Sequence, residues 1–287
     1  MSGYKNFAVV GAGNIGASII EELLKTKSTG KVDKVVVLSR PESAAKLDAF
    51  KARGATVVPI ANYSSVPDVA KALTGIDVVI ATLTHEALPL QVPIAEAAKS
   101  VGVQLFVPSE FGMPTDNATE GLLAGKNEAN KKIQALGLTT ALFFTGSWTD
   151  FIWIPALTLD IKSGSVGVGG DGNAKNSFTS RSDIGRFMAY VLTTLPCQEL
   201  KNRIFRIEGE RTSFNEIFAA YERKHGTKLQ IKYTSPAELE AKFKENPHEN
   251  FGSILHAALA AGRGVVGSPL DNDTYPDWNP KPVIHYI

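Results

Sequence analysis

Short apolar runs alternate with amphipathic stretches along the first half of the chain. Phe7–Val10, Val35–Leu38, Thr56–Ile60, Asp77–Ala81, Gln104–Val107 and Thr139–Phe144 are each a few residues long and mostly apolar. That is the pattern of strands covered on both faces of a parallel sheet. Between them the apolar positions take a helical spacing. One helix opens near Asn14 and carries Ile15, Ile19, Ile20, Leu23 and Leu24 on one side. Ala44–Arg53 is stopped by Gly54. Val66–Leu73 is led in by Ser64-Ser65, with Gly75 beyond it. Leu88–Ser100 is followed by Gly102, and Gly121–Leu136 by Gly137. Glycine just past the last helical residue is the expected stop. Six strands joined by crossover helices predict an α/β fold with a doubly wound parallel sheet over residues 1–150.

The rhythm changes after Gly146. Trp148, Phe151, Trp153 and Ile154 make an aromatic cluster, and 164–172 is a glycine-rich stretch that reads as a hairpin with loose turns. Helices are expected from Ser182-Asp183 to Leu195, over Ser213–His225 and over Pro236–Lys244, with Asp183 capping the first. A strand at 203–208 has the composition to join the sheet. Pro276–Ile287 reads as a packed, irregular tail. Residues 151–287 are thus expected to form a smaller, substrate-binding part.

Composition narrows the function. Of the 287 residues 44% are hydrophobic and 21% charged, and 30 basic against 29 acidic residues leave a net charge of +1. A nucleic-acid footprint needs a basic face, so no nucleic-acid partner is expected. Neither is a membrane: no apolar run approaches the roughly 20 residues that span a bilayer. The single cysteine, Cys197, makes no internal disulfide, and the five histidines lie at no metal-ligand spacing. The first residues lack the apolar centre of a signal peptide. A cytoplasmic monomer or homodimer without metal is the expectation.

The most specific chemistry lies at the first turn. Phe7–Val10 runs into Gly11-Ala12-Gly13-Asn14-Ile15-Gly16, the spacing that cradles a dinucleotide pyrophosphate in a Rossmann fold. Gly11 suits the tight turn, Gly13 the close approach of backbone N–H groups to phosphate, and Gly16 the packing of helix on strand. The helix N-terminus behind them favours the phosphate charge. At the end of the second strand, NAD enzymes place a carboxylate that holds the ribose 2′-hydroxyl. Here Ser39-Arg40 stands there, with Lys46 further on. An arginine in that place suits the 2′-phosphate, so NADP(H) is expected over NAD(H).

Ligands in such sheets lie outside the carboxyl ends of the strands. The candidate loops are Thr82-Leu83-Thr84-His85, Pro108-Ser109-Glu110-Phe111-Gly112 and Thr145-Gly146-Ser147-Trp148. In the helix before the sixth strand, Leu122, Lys126, Ala129, Ile133 and Leu136 fall on one stripe. Lys126 therefore lies on an inward face, where an ammonium needs a partner or a ligand. Short-chain dehydrogenases pair such a lysine with a tyrosine four residues earlier. Here that position is Leu122, and none of the seven tyrosines has a lysine four residues on. Glu110 is expected to pair with a basic residue and shape its loop, and His85 to open a helix. Phe111, Phe144, Trp148, Phe151 and Trp153 are candidates for an aromatic wall, about half of them plain core.

Together, the 11–16 glycine turn, Ser39-Arg40, Val107-Pro108-Ser109-Glu110-Phe111-Gly112, Lys126 and Asp183-Ile184-Gly185 resemble the NmrA-like, isoflavone-reductase-like branch of the atypical short-chain dehydrogenases. The resemblance covers about residues 5–210 and is poor in the last quarter. It implies NADPH-dependent reduction of a small, aromatic, phenylpropanoid-like substrate. Counting back from Gly137, Lys126 matches the family's proposed general acid or base. The expected cofactor site is Gly11, Gly13, Asn14, Ile15, Gly16, Ser39, Arg40, Lys46, Thr82 and Lys126, and the expected substrate site Phe111, Thr145, Trp148 and Phe151. The segment between Gly112 and Lys126 is shorter than the family's, so the plant substrates do not transfer directly. Two other readings stay open: a non-catalytic dinucleotide sensor that regulates a partner, and a nucleotide-sugar epimerase, which lacks its Tyr-x-x-x-Lys pair here.

Overall fold

A computed structural model describes residues 3–119, 121–246 and 250–287, and the side chains of Leu122 and Phe251 lie outside that description. The first half runs β1 (Asn6–Val10), α1 (Asn14–Ser28), β2 (Lys34–Ser39), α2 (Asp48–Ala52), β3 (Thr56–Pro59) and α3 (Val66–Ala72). It continues through β4 (Val78–Ala81), α4 (Gln91–Ser100), β5 (Leu105–Val107), α5 (Gly121–Ala135) and β6 (Ala141–Phe144). The sheet has the order β3-β2-β1-β4-β5, all parallel. In register, Asn6 faces Lys34 and Val10 faces Leu38. A parallel bridge from Phe106 to Thr140 carries the sheet on to β6.

Alternation along each strand explains why these runs are apolar throughout. Phe7 and Val9 of β1, Val35 and Val37 of β2, and Val78 and Ile80 of β4 enter one core. Ala8 and Val10, Val36 and Leu38, Val79 and Ala81 enter the other. Successive side chains point to opposite faces, so a strand covered on both needs no polar position. The first core is closed by α1 and by a later helix, through Ile19, Leu23, Ile184 and Phe187. The second is closed by α3, α4 and α5 through Val69, Ile94, Ala98 and Ile133.

The second half runs β7 (Ser147–Trp148), β8 (Ser165–Gly169), β9 (Asn176–Thr179), α6 (Arg181–Thr194), β10 (Arg203–Arg206), β11 (Glu210–Thr212) and α7 (Phe214–His225). Then follow β12 (Gln230–Thr234), α8 (Pro236–Glu245) and α9 (Phe251–Ala260). β10 lies parallel to β6, Arg203 opposite Ala141 and Arg206 opposite Phe144. β9 pairs with both β7 and β11. A separate core forms from Ile152, Leu159, Val166, Phe178, Phe214, Phe218 and Leu259.

Several expectations need correction. The 44–53 helix is a 3-10 turn over Pro41–Leu47 followed by the five-residue α2; only Leu47 of this stretch is buried, too little to hold a longer amphipathic helix. The 88–100 helix begins as a 3-10 turn over His85–Leu90, and α4 opens at Gln91. That start puts Pro93 in the first turn, where its missing N–H costs no hydrogen bond. The glycine-rich stretch is no hairpin: β8 pairs in parallel with β12, Ser165 opposite Gln230 through Gly169 opposite Thr234. Its glycines serve close approach, since a Cβ on Gly169 would lie 2.5 Å from the carbonyl oxygen of His256. Finally, Ser180 caps α6, accepting from the Asp183 N–H at 3.1 Å and donating to Asp183 Oδ2 at 2.7 Å. Asp183 is the reciprocal partner rather than the cap.

α1 and α6 touch most closely at Gly185, where a Cβ would stand 2.6 Å from the Ser18 carbonyl oxygen. Gly185→Ala must push two helix backbones apart, and overpacking of this kind costs about 1–3 kcal/mol. Chemical denaturation of the variant is expected to show that loss; an unchanged midpoint would show that the helices give way freely.

Candidate active site

The three glycines of the first turn have three different environments. Gly11 has φ +96°, a left-handed conformation, and a Cβ there would lie 2.9 Å from the Thr82 carbonyl oxygen. At Gly16 a Cβ would meet the Gly11 carbonyl oxygen at 2.4 Å and Thr82 Oγ1 at 2.6 Å. At Gly13 it would meet nothing within 4 Å. The turn is therefore crowded on its protein side and open above Gly13. No side chain caps α1, and its first turn holds no acid. Uncapped N–H groups, a positive helix end and open space fit a phosphate group. Asn14 is exposed and Ile15 buried, so the first borders the opening and the second anchors the helix.

Thr82 ties the end of β4 to this turn, its hydroxyl 3.1 Å from the Val10 carbonyl oxygen and 2.9 Å from that of Gly11. One residue on, the Leu83 N–H donates to Ser109 Oγ at 2.9 Å, and the Ser109 hydroxyl donates back to the Leu83 carbonyl at 3.0 Å. The Ser109 N–H donates to the buried Gln91 Oε1 at 2.7 Å. Phe111 has φ +41°, unusual for a bulky residue, and two bonds hold it there. The Phe111 N–H donates to the Phe143 carbonyl at 3.0 Å, and Trp148 Nε1 donates to the Phe111 carbonyl at 2.7 Å. The Thr145 N–H reaches the Gly112 carbonyl at 3.0 Å. The loops after β1, β4, β5 and β6 are thus bonded to one another in series.

Lys126 joins the same series. Its Nζ donates to the Glu110 carbonyl at 2.8 Å and lies 4.0 Å from Glu110 Oε2. The lysine side chain is 23% exposed and the glutamate 1%. Asn130, one turn further along α5, donates to Glu110 Oε1 at 2.5 Å. Burial pushes the Glu110 carboxyl above its usual range, against the pull of the Lys126 charge. Burial likewise pushes the Lys126 ammonium down, against the pull of Glu110. Leu122, which precedes Lys126 on the predicted stripe, has a side chain outside the described residues; Ala129 and Ile133 of that stripe are buried.

At the end of β2, Ser39 is buried with its hydroxyl unbonded, and Arg40 is 71% exposed with Nε 3.2 Å from Glu42 Oε1. Exposed pairs of this kind are worth little, so the guanidinium is available to a stronger anion. Lys46 is exposed in the following 3-10 turn. The aromatic candidates divide. Trp148 and Phe151 are half-buried and meet edge to face at 5.7 Å. Trp153 turns instead to Phe214. Phe111 and Phe144 are buried, Phe111 in the core closed by α1 and α6, so Phe111 contributes its carbonyl to the loop network and keeps its ring in the core. Thr145 is fully buried, its hydroxyl unbonded. His85 is exposed at the start of the 3-10 turn before α4.

Arg181 escaped the sequence reading. Its Nε lies 3.0 Å from Asp150 Oδ2, its Nη1 donates to Asn14 Oδ1 at 3.2 Å, and its guanidinium sits 5.1 Å over the Phe151 ring. It bonds the second half to the N-terminus of α1. Nothing local marks it, since its partners are 31 and 167 residues away. Among the described residues no group of three metal-ligating side chains occurs, and no helix is long and apolar enough to cross a membrane.

Residues 4–274 match the NmrA-like family. A phenylcoumaran benzylic ether reductase of Ginkgo biloba is 31% identical over 273 residues, 87% of this chain and 86% of its own. Another, from Betula pendula, is 30% identical over 308 aligned positions, covering 99% and 97%. In three dimensions the chain is similar to leucoanthocyanidin reductase of Vitis vinifera in its binary complex with NADPH, with a TM-score of 0.82, 22% identity and 97% of each chain covered.

The contrast between Gly13 and Gly16 has a direct test. Gly16→Ala is expected to destabilise the unliganded protein by about 1–3 kcal/mol. Gly13→Ala, with open space around it, costs under about 1 kcal/mol, yet should weaken dinucleotide binding at least tenfold. Thermal unfolding without ligand, paired with a fluorescence titration of NADPH, reads both; equal stability of the two variants would contradict the geometry.

Proposed function

The chain belongs to the NmrA-like, isoflavone-reductase-like family, and we propose that it is an NADPH-dependent reductase of a small aromatic substrate, of the benzylic ether or related phenylpropanoid class. One observation carries this reading: a partly exposed lysine, Lys126, hangs on the same bonded series of loops as an open dinucleotide turn. The names of the Ginkgo and Betula relatives support the substrate class, and the NADPH of the Vitis structure supports the cofactor.

In this reading Gly11, Gly13, Asn14, Ile15 and Gly16 shape the pyrophosphate site, and Thr82 holds it against β4. Ser39, Arg40 and Lys46 lie where the adenosine 2′-phosphate would be received, the guanidinium exchanging Glu42 for a doubly charged partner. Bound there, NADPH supplies a hydride to an electrophilic carbon of the substrate. In this reading the Lys126 ammonium would give the proton taken up by the substrate oxygen as it receives the displaced electron pair. Its lowered proton affinity makes it a better acid at neutral pH. Trp148 and Phe151, set edge to face, supply an angled apolar corner for an aromatic ring, with Phe111 and Thr145 behind it as support for the loops.

Three measurements test this. Consumption of NADPH with aromatic enones, quinones, benzylic ethers and lignans should reveal turnover with at least one; NADPH binding without any turnover would favour the non-catalytic regulator. Arg40→Ala should weaken NADPH about tenfold and leave NADH unchanged, a difference of about 1.4 kcal/mol. Lys126→Met should keep NADPH affinity within a few fold while kcat falls by about 10²–10⁴; loss of affinity instead would make the lysine a cofactor clamp.

A further inference from the structure

Glu110 places a carboxyl where the hydrogen bond it accepts from Asn130 would be served by an amide. Its side chain is almost fully buried. Oε1 accepts from Asn130, which a glutamine oxygen would do equally well. Oε2 makes no hydrogen bond of ordinary geometry and stands 4.0 Å from Lys126 Nζ; the buried Thr115 hydroxyl, itself without a partner, is near enough to favour the ionised carboxyl but brings no charge. A buried carboxylate oxygen without a donor is unfavourable unless a nearby positive charge answers it. Among the described residues one other acid bears on Glu110, Asp116, and its charge is met by Arg206 at 2.6 Å. Among the described residues, the charge acting on Lys126 is that of Glu110.

We propose that Glu110 is the positioning residue of Lys126, its buried carboxylate being the counter-charge that keeps the lysine an ammonium while its own backbone carbonyl aims that ammonium. Two atoms of one residue thus set the direction and the charge of the same Nζ. The turn that presents them is fixed, because Phe111 next door is held at φ +41° by its bonds to Phe143 and Trp148. Asn130 fixes the carboxylate from the same helix that carries the lysine, four residues on. Burial alone drives Lys126 toward the neutral amine; a carboxylate behind it draws the proton back after it has been given up. The proposal rests on the reductase reading only for the consequence in turnover, not for the effect on the lysine's charge.

The test is Glu110→Gln, which keeps shape and the Asn130 bond and removes the charge. Trace acetylation with acetic anhydride across pH, read by mass spectrometry, reports the midpoint at which Lys126 becomes a free amine and needs no substrate. Removing the counter-charge lowers that midpoint, by one pH unit or more, a tenfold loss in proton affinity, while the exposed Lys131 and Lys132 serve as unchanged references. In turnover, the alkaline limb of kcat/KM for NADPH oxidation moves to lower pH by the same amount, and NADPH affinity does not change. An unchanged Lys126 midpoint overturns the proposal. If Glu110→Gln does not fold, Asn130→Ala disfavours the ionised carboxyl and is expected to move the midpoint in the same direction by about threefold in proton affinity; no movement there overturns it equally. A shifted midpoint in a protein without turnover supports the role of Glu110 and counts against the reductase reading, so the two fail separately.

Discussion

Three backbones meet at Gly11, Gly16 and Thr82 with no room for a methyl group between them. The end of β1, the first turn of α1 and the end of β4 can pack this closely only because both glycines lack a Cβ and because the Thr82 hydroxyl satisfies the carbonyls it approaches. The rest of the site is built outward from that contact. Leu83 is placed by Thr82 and bonds Ser109; Ser109 places Glu110; Glu110 places Lys126. Each of these hydrogen bonds joins a side chain to a main-chain group, so the positions of groups far apart in sequence follow from one crowded turn. The space left open above Gly13 is the complement of this crowding.

The second half is joined to that frame by a shared buried core, in which Ile184, Phe187, Val191 and Phe205 pack with Phe7, Ile19 and Leu23, and by contacts of several other kinds. α6 lies against α1 at Gly185, where backbone meets backbone. At the N-terminus of α6, Arg181 bonds Asp150 and Asn14 and covers Phe151. β10 lengthens the sheet beside β6. Three ion pairs around the site, Arg181–Asp150, Arg206–Asp116 and Lys126–Glu110, are all partly or wholly removed from water. In such surroundings losing one partner leaves the other uncompensated, which ties the geometry of the site to its protonation.

Much of the fold was legible along the chain, for a physical reason that particular elements show. The runs Phe7–Val10, Val35–Leu38 and Val78–Ala81 are apolar at every position because both faces are covered, and the glycines at 54, 75, 102 and 137 have the positive φ that ends a helix or turns the chain. These are local requirements, written where they act. The misread segments have their partners elsewhere. β8 reads as half a hairpin until β12 arrives beside it from more than sixty residues away. α4 starts late because Pro93 can occupy only its first turn. Ser180, not Asp183, caps α6 because the helix opens at Arg181, which makes Asp183 its third residue.

The candidate site divides in the same way. The glycine turn, Ser39-Arg40 and the inward placement of Lys126 follow from spacing alone, because a tight turn, a strand end and a helical stripe are properties of neighbours in sequence. That Glu110 buries its carboxylate beside Lys126, that Phe111 turns its ring into the core and offers its carbonyl, and that Arg181 reaches Asn14 were decided by tertiary structure. Burial, counter-charge and close approach depend on which loops the sheet order brings together, and no window of sequence contains both partners.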